Sequence, residues 1–253
     1  SSDVCSSDLT GKTTTVDDTI ASRLFYDDGH LYFGTGKNSG SGKYYVIDTK
    51  SEKKEDATKT EEIKNVKEII SSEGSFYLKN AVKVGQYIIT SDNQGTISSI
   101  DTKNNDKVVS TKEIGKRFSG GIAYDKTTNM IYFVAGTNDL YGVKVGNDGT
   151  FGEEKSVRVY ETGYSAMTPE VYNGKVYVSG CVGTSPFSDK GYLAVVDVQS
   201  EQYKVNYIVE LPAYAMGEML VSKTGENSVR LYFTVNYAES DENYVPYSGG
   251  GIY

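Results

Sequence analysis

Residues 168–207, TPEVYNGKVYVSGCVGTSPFSDKGYLAVVDVQSEQYKVNY, read as four short strands in succession. Glu170, Val171 and Tyr172 lead into Asn173-Gly174, a dipeptide suited to the positive-φ positions of a two-residue hairpin turn. Residues 175–179 then alternate polar and apolar with the two-residue period of a strand. A loop rich in Gly, Ser and Pro follows, then a third strand over 192–198, the polar turn Gln199-Ser200-Glu201-Gln202, and a fourth strand over 203–209. Four consecutive antiparallel strands form one sheet, and one sheet leaves an apolar face that needs a neighbour.

Versions of the same pattern recur along the chain. Placing the residue two or three positions beyond each first turn in register gives Tyr32 (HLYFGTG), Ile88 (QYIITSD), Tyr132 (MIYFVAG), Tyr177 (KVYVSG) and Tyr232 (RLYFTV), at spacings of roughly 56, 44, 45 and 55 residues. Third strands match too: YYVIDTK, TISSIDTKNNDK, LYGVKVGNDG and YLAVVDVQS. The expected fold is all-β, a β-propeller of four-stranded antiparallel blades. About five are visible, at residues 20–75, 76–115, 116–160, 161–210 and 211–253. Because 253 breaks off inside a third strand and would leave a sheet edge bare, the chain is expected to be a truncated fragment of a larger ring. Residues 1–19 are set aside as a leader, artefactual or disordered, whose opening SSDVCSSDL resembles translated adapter read-through. The charged stretch 50–68 is read as an inserted loop running into an outer strand at EIKNVKEII, with a short helix as the alternative, since Ile63, Val66 and Ile70 sit at helical spacing.

Composition excludes several functions. Tyr is abundant, with 22 residues, and the net charge of -8 disfavours nucleic acid or an anionic membrane as partner, since both demand a basic surface. No apolar run approaches the ~18 residues of a membrane span. His30 is the single histidine, so no histidine metal cluster forms, and its place at a strand start fits a turn residue rather than a general base. The segment GTGKNSGSGK before Tyr44 departs from phosphate-loop spacing and context and reads as a hairpin loop. Asp92-Asn93-Gln94 and Asn147-Asp148 with Glu153-Glu154 do not match calcium-loop spacing and read as turns. Cys181 reads as a small buried hydrophobe. No catalytic, metal or cofactor residue is assigned, and no cofactor is expected.

The repeat carried by GQYIITSDNQGTISSIDTKNNDK, and by GKVYVSG with GYLAVVDVQSEQ, resembles that of quinoprotein-like propellers, and most of all bacterial cell-surface propeller proteins. That resemblance implies the fold over most of residues 20–253. The enzymes of the superfamily use Trp docking motifs, a Trp against the quinone, a vicinal Cys pair and an Asp base beside calcium. Here there is no Trp, and Cys181 is followed by Val182, so the catalysis is not carried over.

The functional expectation is a non-enzymatic binding or scaffold propeller domain of an extracellular or cell-envelope bacterial protein, meeting a protein or glycan partner. The alternative is a quinone-dependent dehydrogenase or a polysaccharide-active propeller with its active residues elsewhere. Loop tyrosines are the candidate ligand contacts, through ring stacking: Tyr164, Tyr214, Tyr237, Tyr244 and Tyr247. Tyr44, Tyr45, Tyr132, Tyr177 and Tyr232 lie on strand pattern and are expected to pack in the core or between blades.

Overall fold

The computed structural model describes residues 12–13, 16, 18–37, 40–50, 61–62, 66–165, 167–183, 190–211, 214–215, 219–225, 228–236 and 251–252. Residues 1–11, most of 51–65 and 237–250 lie outside them, and with them most of the leader, the inserted loop, Tyr237, Tyr244 and Tyr247. The described residues are all strand, turn and loop. Two compact units divide the chain, Ser1–Tyr77 and Leu78–Tyr253.

The first unit holds one antiparallel sheet of Phe25–Asp27, His30–Gly34, Gly42–Asp48 and Val66–Ser72. The outer strand expected after the charged insertion is therefore present. Phe33 and Tyr45 stack at 5.5 Å beside Ile47, and Tyr44 packs on Phe76. His30 belongs to a strand, paired with Asp48 and half-buried near Tyr32, rather than to an exposed turn.

In the second unit the second sheet comprises Val82–Val84, Tyr87–Ser91, Thr96–Asp101 and Lys107–Glu113. The third comprises Phe118–Asp125, Met130–Ala135, Asp139–Val145 and Phe151–Arg158. In the fourth, Gly163–Tyr164 and Glu170–Tyr172 share the first-strand position beside Lys175–Val182, followed by Gly191–Asp197 and Lys204–Leu211. The fifth repeats that split. Tyr214–Ala215 pairs with Thr234–Asn236, Leu220–Lys223 pairs with Val229–Tyr232, and Gly251–Ile252 adds the third strand.

The turns explain the repeat. Asn173 and Gly174 take φ of 49° and 71°, as the hairpin expectation requires. At the end of the third strand, Asp48, Asp101 and Asp197 each accept the N–H two residues on, from Lys50, Lys103 and Gln199. In the first two of these sheets the following threonine ties this turn to the strand 1–2 turn, Thr49 to the Gly29 carbonyl and Thr102 to that of Gln86. That is the physical content of the repeated Asp-Thr-Lys.

Faces alternate along each second strand. Ile131 and Phe133 pack back onto Val84, Tyr87, Ile89 and Ile97 of the second sheet. Tyr132 and Val134 pack forward onto Val176, Val178 and Ala194 of the fourth, and Tyr177 packs forward onto Met219, Leu231 and Phe233 of the fifth. The forward position in the second sheet is Ile89, one residue beyond Ile88, because the two-residue turn Gly85-Gln86 puts Tyr87 opposite Val84. The Ile88 alignment is corrected accordingly.

Asp139 opens the third strand of the third sheet, between Ala135 and Arg158 at the strand 2–3 turn. Its carboxylate takes Lys116 Nζ at 2.7 Å and a fork from Arg158, whose Nη2 lies at 3.2 Å. Burial pushes the carboxyl up, yet the Arg158 and Lys116 bonds outweigh it and hold it below the usual aspartate value. The stabilisation is thus present above the unfolded pKa and lost as pH falls through the folded one. Asp139→Asn is expected to cost about 1 kcal/mol at pH 7, screened because both cations are half exposed. In acid melts its deficit against wild type should shrink below about pH 4, the unfolded aspartate value.

Candidate functional site: a groove between the third and fourth sheets

Antiparallel order puts strand 1–2 and 3–4 turns at one end of each sheet, and strand 2–3 loops and sheet-to-sheet connections at the other. At the first end the third and fourth sheets part into two adjoining cavities of about 660 and 750 Å³ that share Thr128, Tyr132, Val198 and Gln199. Tyr124 and Asp125 at the end of the first strand, with Thr127 of the turn, form one wall, and Val171, Tyr172 and Asn173 the other. Tyr203 and Met130 extend it outward.

Local sequence accounts for the gap. Val198 stands where the first and second sheets have threonine and the third has Val145. It keeps the backbone bond to Gly174 O at 3.1 Å but has no hydroxyl, and it gives the groove an apolar floor. The turn after Tyr124 is held open by Asp125, which accepts from Thr127 N and Oγ1 and from Thr128 Oγ1. These bonds hold the Asp125 carboxyl low against the raising effect of burial. The Tyr124 hydroxyl is fixed on Asn129 Oδ1 at 2.8 Å.

Beneath them Tyr132 and Tyr203 meet edge-on, with centroids 6.3 Å apart and planes at 54°. The Tyr203 hydroxyl is buried, sits over Gly142 and faces Tyr132. Burial raises both phenol pKa values. Chemically this is an apolar and aromatic cleft rimmed by Lys126, Lys223, Lys144, Glu153 and Glu201, with amide and hydroxyl groups between. It suits binding through contact and hydrogen bonding. Among the described residues no group of three or more His, Cys, Asp and Glu is placed to hold a metal.

The sequence-derived tyrosines lie elsewhere. Tyr164 sits at the opposite end, half-buried, with its hydroxyl 3.4 Å from Ser119 Oγ. Tyr214 pairs with Asn236 on a sheet-to-sheet connection at that same end. Beside Tyr164 the first strands are bulged, and the third sheet's bulge is clamped by Lys79 and Asn80. Lys79 Nζ donates to the carbonyls of Phe118, Ser119 and Gly120 at 3.0, 3.1 and 3.2 Å. Asn80 exchanges two bonds with the backbone of Ile122. Neither this clamp nor the groove was anticipated: Lys79 looks like any surface lysine in sequence, and the groove depends on how two turns sit beside each other.

No family model matches the chain, and no curated protein matches it. Solved structures do. The chain is similar to quinohemoprotein alcohol dehydrogenase from Comamonas testosteroni, with a TM-score of 0.54 and 10% identity, covering 86% of this chain and 40% of that one. It is similar to the N-terminal domain of Nup159, with a TM-score of 0.51 and 9% identity over 84% of this chain and 56% of that one. It is similar also to the WD40 domain of Toxoplasma gondii coronin, with a TM-score of 0.52 and 15% identity over 81% and 52%. The fold is a partial β-propeller. The chain spans about half or less of these structures' length. At such identities the likeness concerns the fold alone, and one enzyme among these neighbours does not transfer a reaction. Among the described residues no helix is long and apolar enough to cross a membrane.

Proposed function

We propose that the chain is part of a non-enzymatic binding propeller of a bacterial cell envelope or surface, and that the groove between the third and fourth sheets seats an extended protein or glycan segment. The observation that carries this reading is the pair of adjoining cavities over Tyr132, Val198 and Tyr203, an apolar floor with a hydrogen-bonding rim. The cell-surface resemblance of the repeat supports the location. Tyr164 and Tyr214, at the opposite end, form a second contact region in this proposal, and Tyr237, Tyr244 and Tyr247, outside the described residues, remain candidate contacts by sequence.

The test is binding of the labelled chain to glycan and peptide arrays, followed by titration of any ligand found. Lys126 and Gln199 are exposed on the rim, so a Lys126→Ala, Gln199→Ala double variant should keep its fold. It is expected to weaken binding about tenfold, which corresponds to roughly 1.4 kcal/mol. Unchanged affinity would remove the groove from the proposal. Reduction of a redox dye on addition of quinone and calcium would favour the dehydrogenase alternative instead.

A further inference from the structure

Acidic residues outnumber basic ones in this chain, whose net charge is -8, yet the groove between the third and fourth sheets reverses that balance. Lys126, Lys144, Lys155 and Lys223 line it, against Asp125, Glu153 and Glu201. In the outer cavity Lys144 and Lys155 are matched by the two glutamates. The excess of positive charge lies in the inner cavity. There Lys126 of the third sheet and Lys223 of the fifth are both exposed, and Asp125 is the one carboxylate among the described residues that line it. Both Asp125 oxygens already accept bonds, one from Thr127 and the other from Thr128.

The aromatic rings of the groove are engaged as well. Tyr132 is 2% exposed and Tyr203 8%, so neither offers an open face. Tyr124 packs back on the core between the second and third sheets, and Tyr172 packs forward toward the fifth. A sugar needs a free ring face to stack on. What remains open is the aliphatic floor of Val171 and Val198, which takes an apolar side chain. Alternate residues of an extended peptide point to opposite sides, so one side chain descends to such a floor while its neighbours lie at the rim.

On the reading that the groove is a binding seat, we propose that its occupant is an acidic, extended segment of a protein partner, with an aliphatic side chain over Val171 and Val198 and flanking carboxylates at Lys126 and Lys223. Charge complementarity of this kind selects the partner more than it adds raw affinity.

Fluorescence anisotropy with the 253-residue chain tests this, using two labelled nonapeptides, one alternating Glu and Leu and the other with Gln in place of each Glu, and labelled polygalacturonate as an anionic glycan. The Glu peptide is expected to bind about tenfold tighter than the Gln peptide at low salt, a preference that shrinks at high salt. Lys126→Glu with Lys223→Glu should abolish the preference. Lys103→Glu with Lys107→Glu, at an exposed turn of the second sheet, changes the net charge equally and should retain it. Equal affinity for the two peptides overturns the acidic class and leaves the groove as a seat. A preference that survives reversal of Lys126 and Lys223 overturns the site. Binding of polygalacturonate alone, lost on that reversal, overturns the proposal in favour of a glycan, and no binding of either peptide also overturns it. The groove reading itself is judged separately, by the Lys126→Ala, Gln199→Ala titration of an array ligand.

Discussion

Lys79→Met is expected to destabilise the protein by about 3 kcal/mol at pH 7, the scale for removing one partner from a buried charged contact. The side chain is only 1% exposed, and its ammonium is shared by three consecutive carbonyls of the neighbouring bulge. Methionine fills the volume but leaves those carbonyls without a donor, and each buried orphan costs about 1–3 kcal/mol. Leu78, immediately before it, takes φ of 55° while 56% exposed. That conformation costs an L-residue about 1–2 kcal/mol, so the clamp also offsets local strain. Burial lowers the Lys79 pKa from 10.5 to about 8, Arg117 adding to it and Asp92 opposing. Between those values the unfolded chain binds more protons than the folded one, so wild-type stability should rise with pH from about 8 to 10.5. Lys79→Met should lack that rise. Urea melts at pH 7, 8 and 10 measure both effects. A variant as stable as wild type at pH 7 would mean that the bulge does not need its clamp.

Gly142→Val has the second largest expected effect. A Cβ at 142 would run into the Tyr203 hydroxyl and come within 2.9 Å of the Tyr132 ring, under any rotamer of the new side chain. The cross-strand neighbour of Gly142 is Tyr132 itself, so the clash falls on the floor of the groove. Overpacking of this kind costs about 1–3 kcal/mol, and a branched residue belongs at the upper end. On a Tyr203→Ala background Gly142→Val should cost much less than it does alone, because the phenol it runs into is gone. Thermal melts of both single variants and the double check it, and additive deficits would show that Tyr203 is not what the glycine accommodates.

How much of this was legible in the sequence depends on whether backbone or packing writes the signal. Asn173-Gly174 and the Asp-Thr-Lys triplets are read directly, because they satisfy local backbone needs and look the same wherever they occur. The register of the second sheet was missed by one residue, because Ile88 and Ile89 are both buried aliphatics and the turn length decides which faces forward. Tyr132 and Tyr232 share a motif, yet one is buried and the other exposed. What covers a tyrosine is a property of the neighbouring sheet. The loop tyrosines were chosen by residue type, whereas the groove arises from what two turns leave unfilled.

The central claim is that a partner seats between the third and fourth sheets. Hydrogen exchange of the chain, with and without a ligand found on the arrays, tests it most directly. The account predicts new protection in residues 124–130, 171–175 and 198–203, the turns that form the groove. Protection confined to residues around Tyr164 and Tyr214 at the opposite end, with the groove turns exchanging as before, would contradict it.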